Sequence, residues 1–201
     1  KALSMEFFNS IVLDEVDRML DMGFIDDMRY ILGLMPKEHR QGLFFSATLS
    51  NEIKNLCGDF LKNPTIISVK TRDTASNVSQ DVVRVKNHTE KLSTLHDILI
   101  HPDCSKVLIF REMKRSVDEL AKELRGRGFK ALGLHGDMRN RERERAVQAL
   151  SNGSTQIVIA TDVAARGIDI PDITHVINYD TPSTYDTYIH RIGRTGRGNR
   201  T

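Results

Sequence analysis

Lys106-Val107-Leu108-Ile109-Phe110, joined further on by Gln156-Ile157-Val158-Ile159-Ala160, is the stretch that decides the fold. Neither run alternates apolar with polar residues, as a strand with one wet face would. Continuous β-branched and aliphatic runs of this length belong to strands buried on both faces, the usual state of a parallel sheet covered by helices. Working outward, similar runs recur at Ser10-Ile11-Val12-Leu13, Gly42-Leu43-Phe44-Phe45, Thr65-Ile66-Ile67-Ser68-Val69, Asp81-Val82-Val83-Arg84-Val85, Ala131-Leu132-Gly133-Leu134 and His175-Val176-Ile177-Asn178. Helical patterns lie between most of them, so the chain reads as α/β with parallel sheets.

The helical segments carry their own punctuation. Met28, Ile31, Leu32 and Met35 define one face that Pro36 ends, and Ser50 is placed to cap a helix burying Ile53, Leu56, Cys57 and Phe60. Thr89 is expected to cap a helix with Leu92, Leu95 and Leu99 inside. Ser116 and Glu119 have capping-box spacing ahead of Leu120 and Leu124, with Gly126 and Gly128 closing that helix. A further helix interleaves Arg139, Arg141, Arg143 and Arg145 with Glu142 and Glu144, a pattern that ordinarily marks a solvated, salt-bridged face. Between Thr71 and Gln80 the sequence is polar and aperiodic, which places a linker at 71–80 between a first domain over 1–70 and a second over 81–201.

Composition sets limits without choosing a function. With 201 residues and 39% hydrophobic content the chain can bury a core as one domain or two. A net charge of +2 leaves any nucleic-acid contact to local patches, and one is visible: between Thr181 and Thr201 stand Arg191, Arg194, Arg197 and Arg200 against the single acid Asp186. Cys57 and Cys104 are far apart and form no CxxC pair, which speaks against a zinc site or disulfide framework and favours a reducing compartment. No apolar run approaches the roughly 20 residues of a membrane span, so no membrane partner is expected. The chain opens in mid-pattern at Lys1, and is expected to be a piece of a longer protein.

The polar residues that interest a chemist stand at strand ends, where ligands of open α/β sheets bind. The first strand runs into Asp14-Glu15-Val16-Asp17 and the second into Ser46-Ala47-Thr48. An acid pair such as Asp14 and Glu15 suits metal-assisted hydrolysis, one carboxylate holding hydrated Mg²⁺ and its neighbour working on water. Acids placed there also favour the start of a following helix, and that plainer reading stands beside the first. In His190-Arg191-Ile192-Gly193-Arg194-Thr195-Gly196-Arg197 arginines recur every third residue among glycines, as suits a phosphate clamp, although a solvated basic loop would look the same.

Taken together, DEVD at 14–17, SAT at 46–48, HGDM at 135–138, TDVAARGID at 161–169 and HRIGRTGR at 190–197 resemble the DEAD-box family of ATP-dependent RNA helicases in superfamily 2. The order and spacing agree with that family over nearly the whole chain. The resemblance implies two RecA-like parallel-sheet domains, the first incomplete here, closing over ATP and RNA. It implies Asp14 holding Mg²⁺ through water and Glu15 as the catalytic carboxylate. Asp17 would bond to Ser46, Thr48 or His190 and couple the domains; Gly167 and Asp169 would approach the ribose and phosphates of ATP. Arg194 and Arg197 would be arginine fingers, with Arg191 structural. Gly136, Thr161 and Arg143 would meet the RNA backbone, giving sequence-independent, salt-sensitive binding. A monomer in the cytoplasm, or in the nucleus of a eukaryote, would fit the family.

The chain departs from the family at Val16 in place of alanine, at Arg111-Glu112-Met113 after a strand, and at Asn140 in place of glutamine. It also contains no GxxxxGK[ST] phosphate loop, so by itself it is expected to hydrolyse no ATP, and its first half is expected to pack poorly. Two other readings remain at this level: a non-catalytic RNA-binding or regulatory module of the same fold, and a superfamily 2 DNA helicase.

Overall fold

The computed structural model describes residues 4–38, 40–69, 78–165 and 170–196. The chain divides into two compact units, Lys1–Val69 and Lys70–Thr201. Both are parallel α/β. Of the residues read as a linker, 71–77 lie outside the described set.

The second unit explains why the two opening runs matter. Its sheet has the order β4-β5-β3-β6, formed by β3 (Val107–Phe110), β4 (Ala131–Leu134), β5 (Ile157–Ala160) and β6 (His175–Asn178), all parallel. Every residue of β3 and β5 is buried. Because successive side chains point to opposite faces, Val107, Ile109, Ile157 and Ile159 pack beneath α4 (His88–Leu99) and α5 (Lys114–Gly126), with Leu92, Leu95, Leu99, Leu120 and Leu124. Leu108, Phe110, Val158 and Ala160 face the other way, toward Ala146 and Leu150 of α6 (Asn140–Ser151) and Ala164 and Ala165 of α7 (Asp162–Ala165). This is the two-sided burial that an unbroken apolar run predicts. The last element is α8 (Tyr185–Ile192), capped by the Thr184 hydroxyl accepting from the Thr187 amide.

The first unit has a thinner construction. Strands β1 (Ser10–Leu13) and β2 (Gln41–Phe44) form a two-stranded parallel sheet. Leu13 and Phe44 pack against a small core of Val16, Met28, Ile53 and Leu56, supplied by α1 (Val16–Asp21), α2 (Ile25–Gly33) and α3 (Asn51–Phe60). On the opposite face the paired residues Val12 and Leu43 are exposed. Arg40 ties the helices together, its guanidinium donating to the carbonyls of Leu32 and Phe60 at the ends of α2 and α3. A Cβ at Gly42 would lie 2.2 Å from Leu61 Cδ2, so a side chain there would require the end of Leu61 to shift.

Several expectations need correction. Thr65–Val69 and Asp81–Val85 form no strands, and Ile66, Ile67, Val69 and Val82 are exposed. An extended segment becomes a strand only when a neighbour takes its backbone hydrogen bonds, and none does so among the described residues. The cap of α4 is Asn87, whose side chain accepts from the Glu90 amide, and Thr89 lies inside the helix. Helix α5 starts at Lys114, so Ser116 is already within its first turn and its hydroxyl donates to the Met113 carbonyl instead of capping. Ile31 is exposed and Met35 is buried just beyond the end of α2, because the short helix needs only Met28 and Leu32 to cover its core. Ser50 does cap α3, accepting from the Ile53 amide.

Candidate functional site

In the first unit the carboxylates stand where β1 turns into α1. Glu15 precedes the helix with φ 51° and ψ 48°, a left-handed conformation that an L residue adopts at a cost of about 1–3 kcal/mol. The turn is held on both sides: Asp14 Oδ1 accepts from the Glu15 amide at 2.9 Å, and the Val16 amide donates to the Phe45 carbonyl at 3.0 Å. Asp14 is exposed and Glu15 half-buried, so both carboxyls remain open to a ligand.

Asp17 has the opposite environment. It is buried, and its Oδ2 accepts from the amides of Ala47 and Thr48, each at 3.1 Å, and from the Thr48 hydroxyl at 3.4 Å. Its own amide donates to Ser46 Oγ at 3.3 Å. Asp17, Ser46 and Thr48 are thus one constellation joining the ends of β1 and β2. The third residue expected near Asp17, His190, is half-buried in the last turn of α8 in the second unit.

In the second unit the backbone-facing candidates collect at adjacent strand ends. Thr161 follows β5, its amide donating to Leu134 O at the end of β4, and its hydroxyl accepts from Ala164 at the start of α7. Arg143 reaches across from α6 to donate to Ala164 O at 3.4 Å. Gly136 lies exposed just beyond β4, and a Cβ there would meet Lys114 Cε at 3.7 Å. Thr161 and Arg143 are therefore linked through α7, with Gly136 on the neighbouring turn.

A Lys114–Asp137 ion pair, 2.5 Å long, that no motif signals lies beside Gly136. The hydrogen bond from Lys114 holds the Asp137 carboxyl below the ordinary range, an effect that the nearby charges of Lys114 and His135 reinforce and slight desolvation opposes. His135 is paired with Asp118 at 3.1 Å. Nothing but proximity in the fold joins these residues, since Lys114 and Asp137 lie on separate elements.

Arg194 sits in the turn that follows α8, its amide bonded to Arg191 O, and Thr195 Oγ1 anchors the turn to Ile173 O at 2.6 Å. Gly167, Asp169 and Arg197 fall outside the described residues. The unusual Arg111 is occupied within the unit: it pairs with Asp180 at 3.0 Å and its guanidinium stacks 4.7 Å from the centroid of Tyr179. Lys91 lies over the same ring at 4.2 Å. Burial pushes the Tyr179 hydroxyl above its usual pKa, with Glu123 and Asp180 adding to the rise and Arg111 and Arg127 opposing it. Cys57 and Cys104 are free thiols, both raised by burial, with Asp103 adding to the rise at Cys104.

The donor set fits a magnesium–nucleotide pair only in part. Among the described residues no group of three or more His, Cys, Asp or Glu side chains is placed to hold a metal ion. Mg²⁺ is usually held by one or two carboxylates together with waters and phosphate oxygens. The exposed Asp14 supplies such a carboxylate, whereas no GxxxxGK[ST] segment is present to cradle phosphates. No helix among the described residues is long and apolar enough to cross a membrane.

Comparison with known proteins matches two families. The helicase conserved C-terminal domain covers residues 90–199, and the DEAD/DEAH box helicase family covers residues 1–56. The DEAD-box ATP-dependent RNA helicase CshA of Bacillus licheniformis is 42% identical over all of this chain, which spans 41% of that protein. Among solved structures, S. cerevisiae Dbp5 bound to RNA and ADP BeF3 is 30% identical with a TM-score of 0.82, over 97% of this chain and 52% of that one. A DEAD box protein from Methanococcus jannaschii is 38% identical with a TM-score of 0.56, over 97% of this chain and 52% of that one.

Proposed function

This chain belongs to the DEAD-box family of helicases, and from that premise we propose that its parent is an ATP-dependent RNA helicase that couples ATP hydrolysis to RNA unwinding or ribonucleoprotein remodelling. The observation that carries the reading is the Asp17 constellation. A buried carboxylate spends three acceptor bonds on Ala47 and Thr48, so the two strand ends move together, directly beside the exposed pair Asp14 and Glu15.

In this reading residues 1–70 are the rear of a first RecA-like domain, 71–80 the linker and 81–201 the second domain. Bound Mg²⁺ would neutralise phosphate charge, and Asp14 would hold it through water. Glu15, set in its strained turn, orients and deprotonates the attacking water. Arg194 and Arg197 would serve as the arginine fingers for the γ-phosphate, and Gly167 and Asp169 would meet the nucleotide's ribose and phosphates. Asp17, Ser46, Thr48 and His190 couple nucleotide state to domain closure. On the RNA side Gly136, Thr161 and Arg143 meet sugar and phosphate, so binding follows backbone shape and falls with salt. The RNA-bound Dbp5 relative supports an RNA rather than a DNA substrate.

The test is ATP hydrolysis by the parent protein with RNA or DNA oligonucleotides as activators. RNA should stimulate turnover, DNA of the same sequence should not, and Glu15→Gln should remove turnover. Stimulation by DNA alone would overturn the assignment, and the 201-residue chain on its own should show no turnover with either.

A further inference from the structure

In the second unit the buried side chain of Arg191 connects the helix before the Arg194 turn with Asp162, next to Thr161. Arg191 is almost fully enclosed, and its guanidinium makes four polar contacts with described residues. Nε and Nη2 form a two-pronged pair with Asp162, at 2.8 Å to Oδ1 and 2.9 Å to Oδ2. Nη1 donates to Asn178 Oδ1 at 3.0 Å and to the Asp180 carbonyl at 2.7 Å. The ring of Phe110 lies 5.0 Å beneath. One residue of α8 thus grips the ends of β3 and β6 and the first residue of α7 together.

What stands on either side of this grip gives it a consequence. Asp162 directly follows Thr161 and opens α7, whose Ala164 donates its amide to the Thr161 hydroxyl and accepts from Arg143 at its carbonyl. On the other side the Arg191 carbonyl accepts from the Arg194 amide, and Thr195 pins the far end of the same turn to Ile173. Arg194 is therefore bracketed by two anchors, one of which is fastened to the RNA-facing element.

We propose that Arg191 is a positioning residue that makes the Thr161–Ala165 segment and the Arg194 turn one rigid piece, so that RNA seated on the first sets Arg194 in register for the phosphate. The proposal rests on the roles given to Thr161 and Arg194 above. A planar guanidinium fork is required for it: lysine supplies the charge but cannot grip both carboxylate oxygens while also donating to Asn178 and Asp180.

The experiment is a double-mutant cycle in the parent protein at saturating ATP and RNA, with Arg191→Lys, Arg194→Ala and the pair. Arg191→Lys should lower kcat about 100-fold at saturating RNA, the cost of a small misplacement of a catalytic group, while leaving the KM for ATP in place. In the Arg194→Ala background it should lower kcat no further, because the residue it positions is gone. Full kcat in Arg191→Lys, or the same fractional loss in both backgrounds, would overturn the proposal. If Arg191→Lys does not fold, Asp162→Asn enters the same cycle with the same expectations.

Amide exchange separates this inference from the helicase reading. In the Arg191→Lys parent, exchange over Tyr185–Ile192 and over Asp162–Ala165 should rise together. A rise confined to α8, or no rise, would overturn the linkage even if RNA-stimulated turnover is found. If the wild-type parent shows no such turnover, the functional reading fails and this exchange result alone decides the linkage.

Discussion

Replacing Asp17 with alanine should loosen one precise place in the first unit. Its Oδ2 is the acceptor for the amides of Ala47 and Thr48, both at 3.1 Å, and the site is largely closed to water. A hydrogen bond to a charged acceptor contributes about 1.5–3 kcal/mol net. Losing it lowers the free energy of local opening by that amount, which corresponds to a rise in exchange rate of roughly 10- to 150-fold at these two amides. Asp17→Asn can turn its remaining oxygen toward Ala47 and Thr48 and keep neutral bonds there, so the rise should be smaller, roughly 5- to 10-fold. The assay is native-state hydrogen exchange resolved to single amides, with Phe45 as an internal control because its amide bonds to Leu13 O within the ladder. Wild-type exchange at Ala47 and Thr48 in Asp17→Ala would refute the assignment of Asp17 as the tie between the two strand ends.

Three further outcomes follow from the packing and the charges. The Asp137 carboxyl should titrate below the ordinary aspartate range and move up in Lys114→Met, as read by carboxyl NMR; because its folded pKa is the lowered one, any stability it contributes is present above the unfolded pKa and lost as pH falls through the folded value. Leu108→Ala, at a fully buried position in the centre of the larger sheet, should destabilise the second unit by about 2–5 kcal/mol in urea unfolding, whereas Val12→Thr on the exposed face of β1 should stay within about 0.5 kcal/mol. Amides of β3 and β5 should exchange much more slowly than those of β1 and β2, and equal protection would contradict the contrast between a sheet buried on both faces and one with a bare face.

How much of this was legible in the sequence depended on how local its cause was. Val107–Phe110 and Ile157–Ala160 were plain because burial on both faces writes an unbroken apolar run. Ser50 was legible because a cap acts within one turn of its own helix. Thr65–Val69 and Asp81–Val85 have the composition of strands, but a strand also needs a neighbour, and composition says nothing of that. The same limit hid the Arg191–Asp162 pair: the two residues are far apart in the chain, and only the convergence of α8 and α7 at the ends of β3 and β6 brings them to 2.8 Å. Asp17 could be expected to meet Ser46 and Thr48 from the family resemblance, whereas its bonds to the Ala47 and Thr48 amides follow from the parallel pairing of β1 with β2. Lys114 and Asp137 carried no signal at all, since each is an ordinary exposed charge until α5 and the turn after β4 meet.

The central claim is that this chain supplies the acid and arginine parts of an RNA-stimulated ATPase. The most direct measurement is phosphate release by the parent protein at saturating ATP and RNA, wild type against Arg194→Ala. Turnover should fall by about a thousandfold or more, the range seen when an arginine finger is removed, with ATP still bound. Undiminished turnover in Arg194→Ala would contradict the claim.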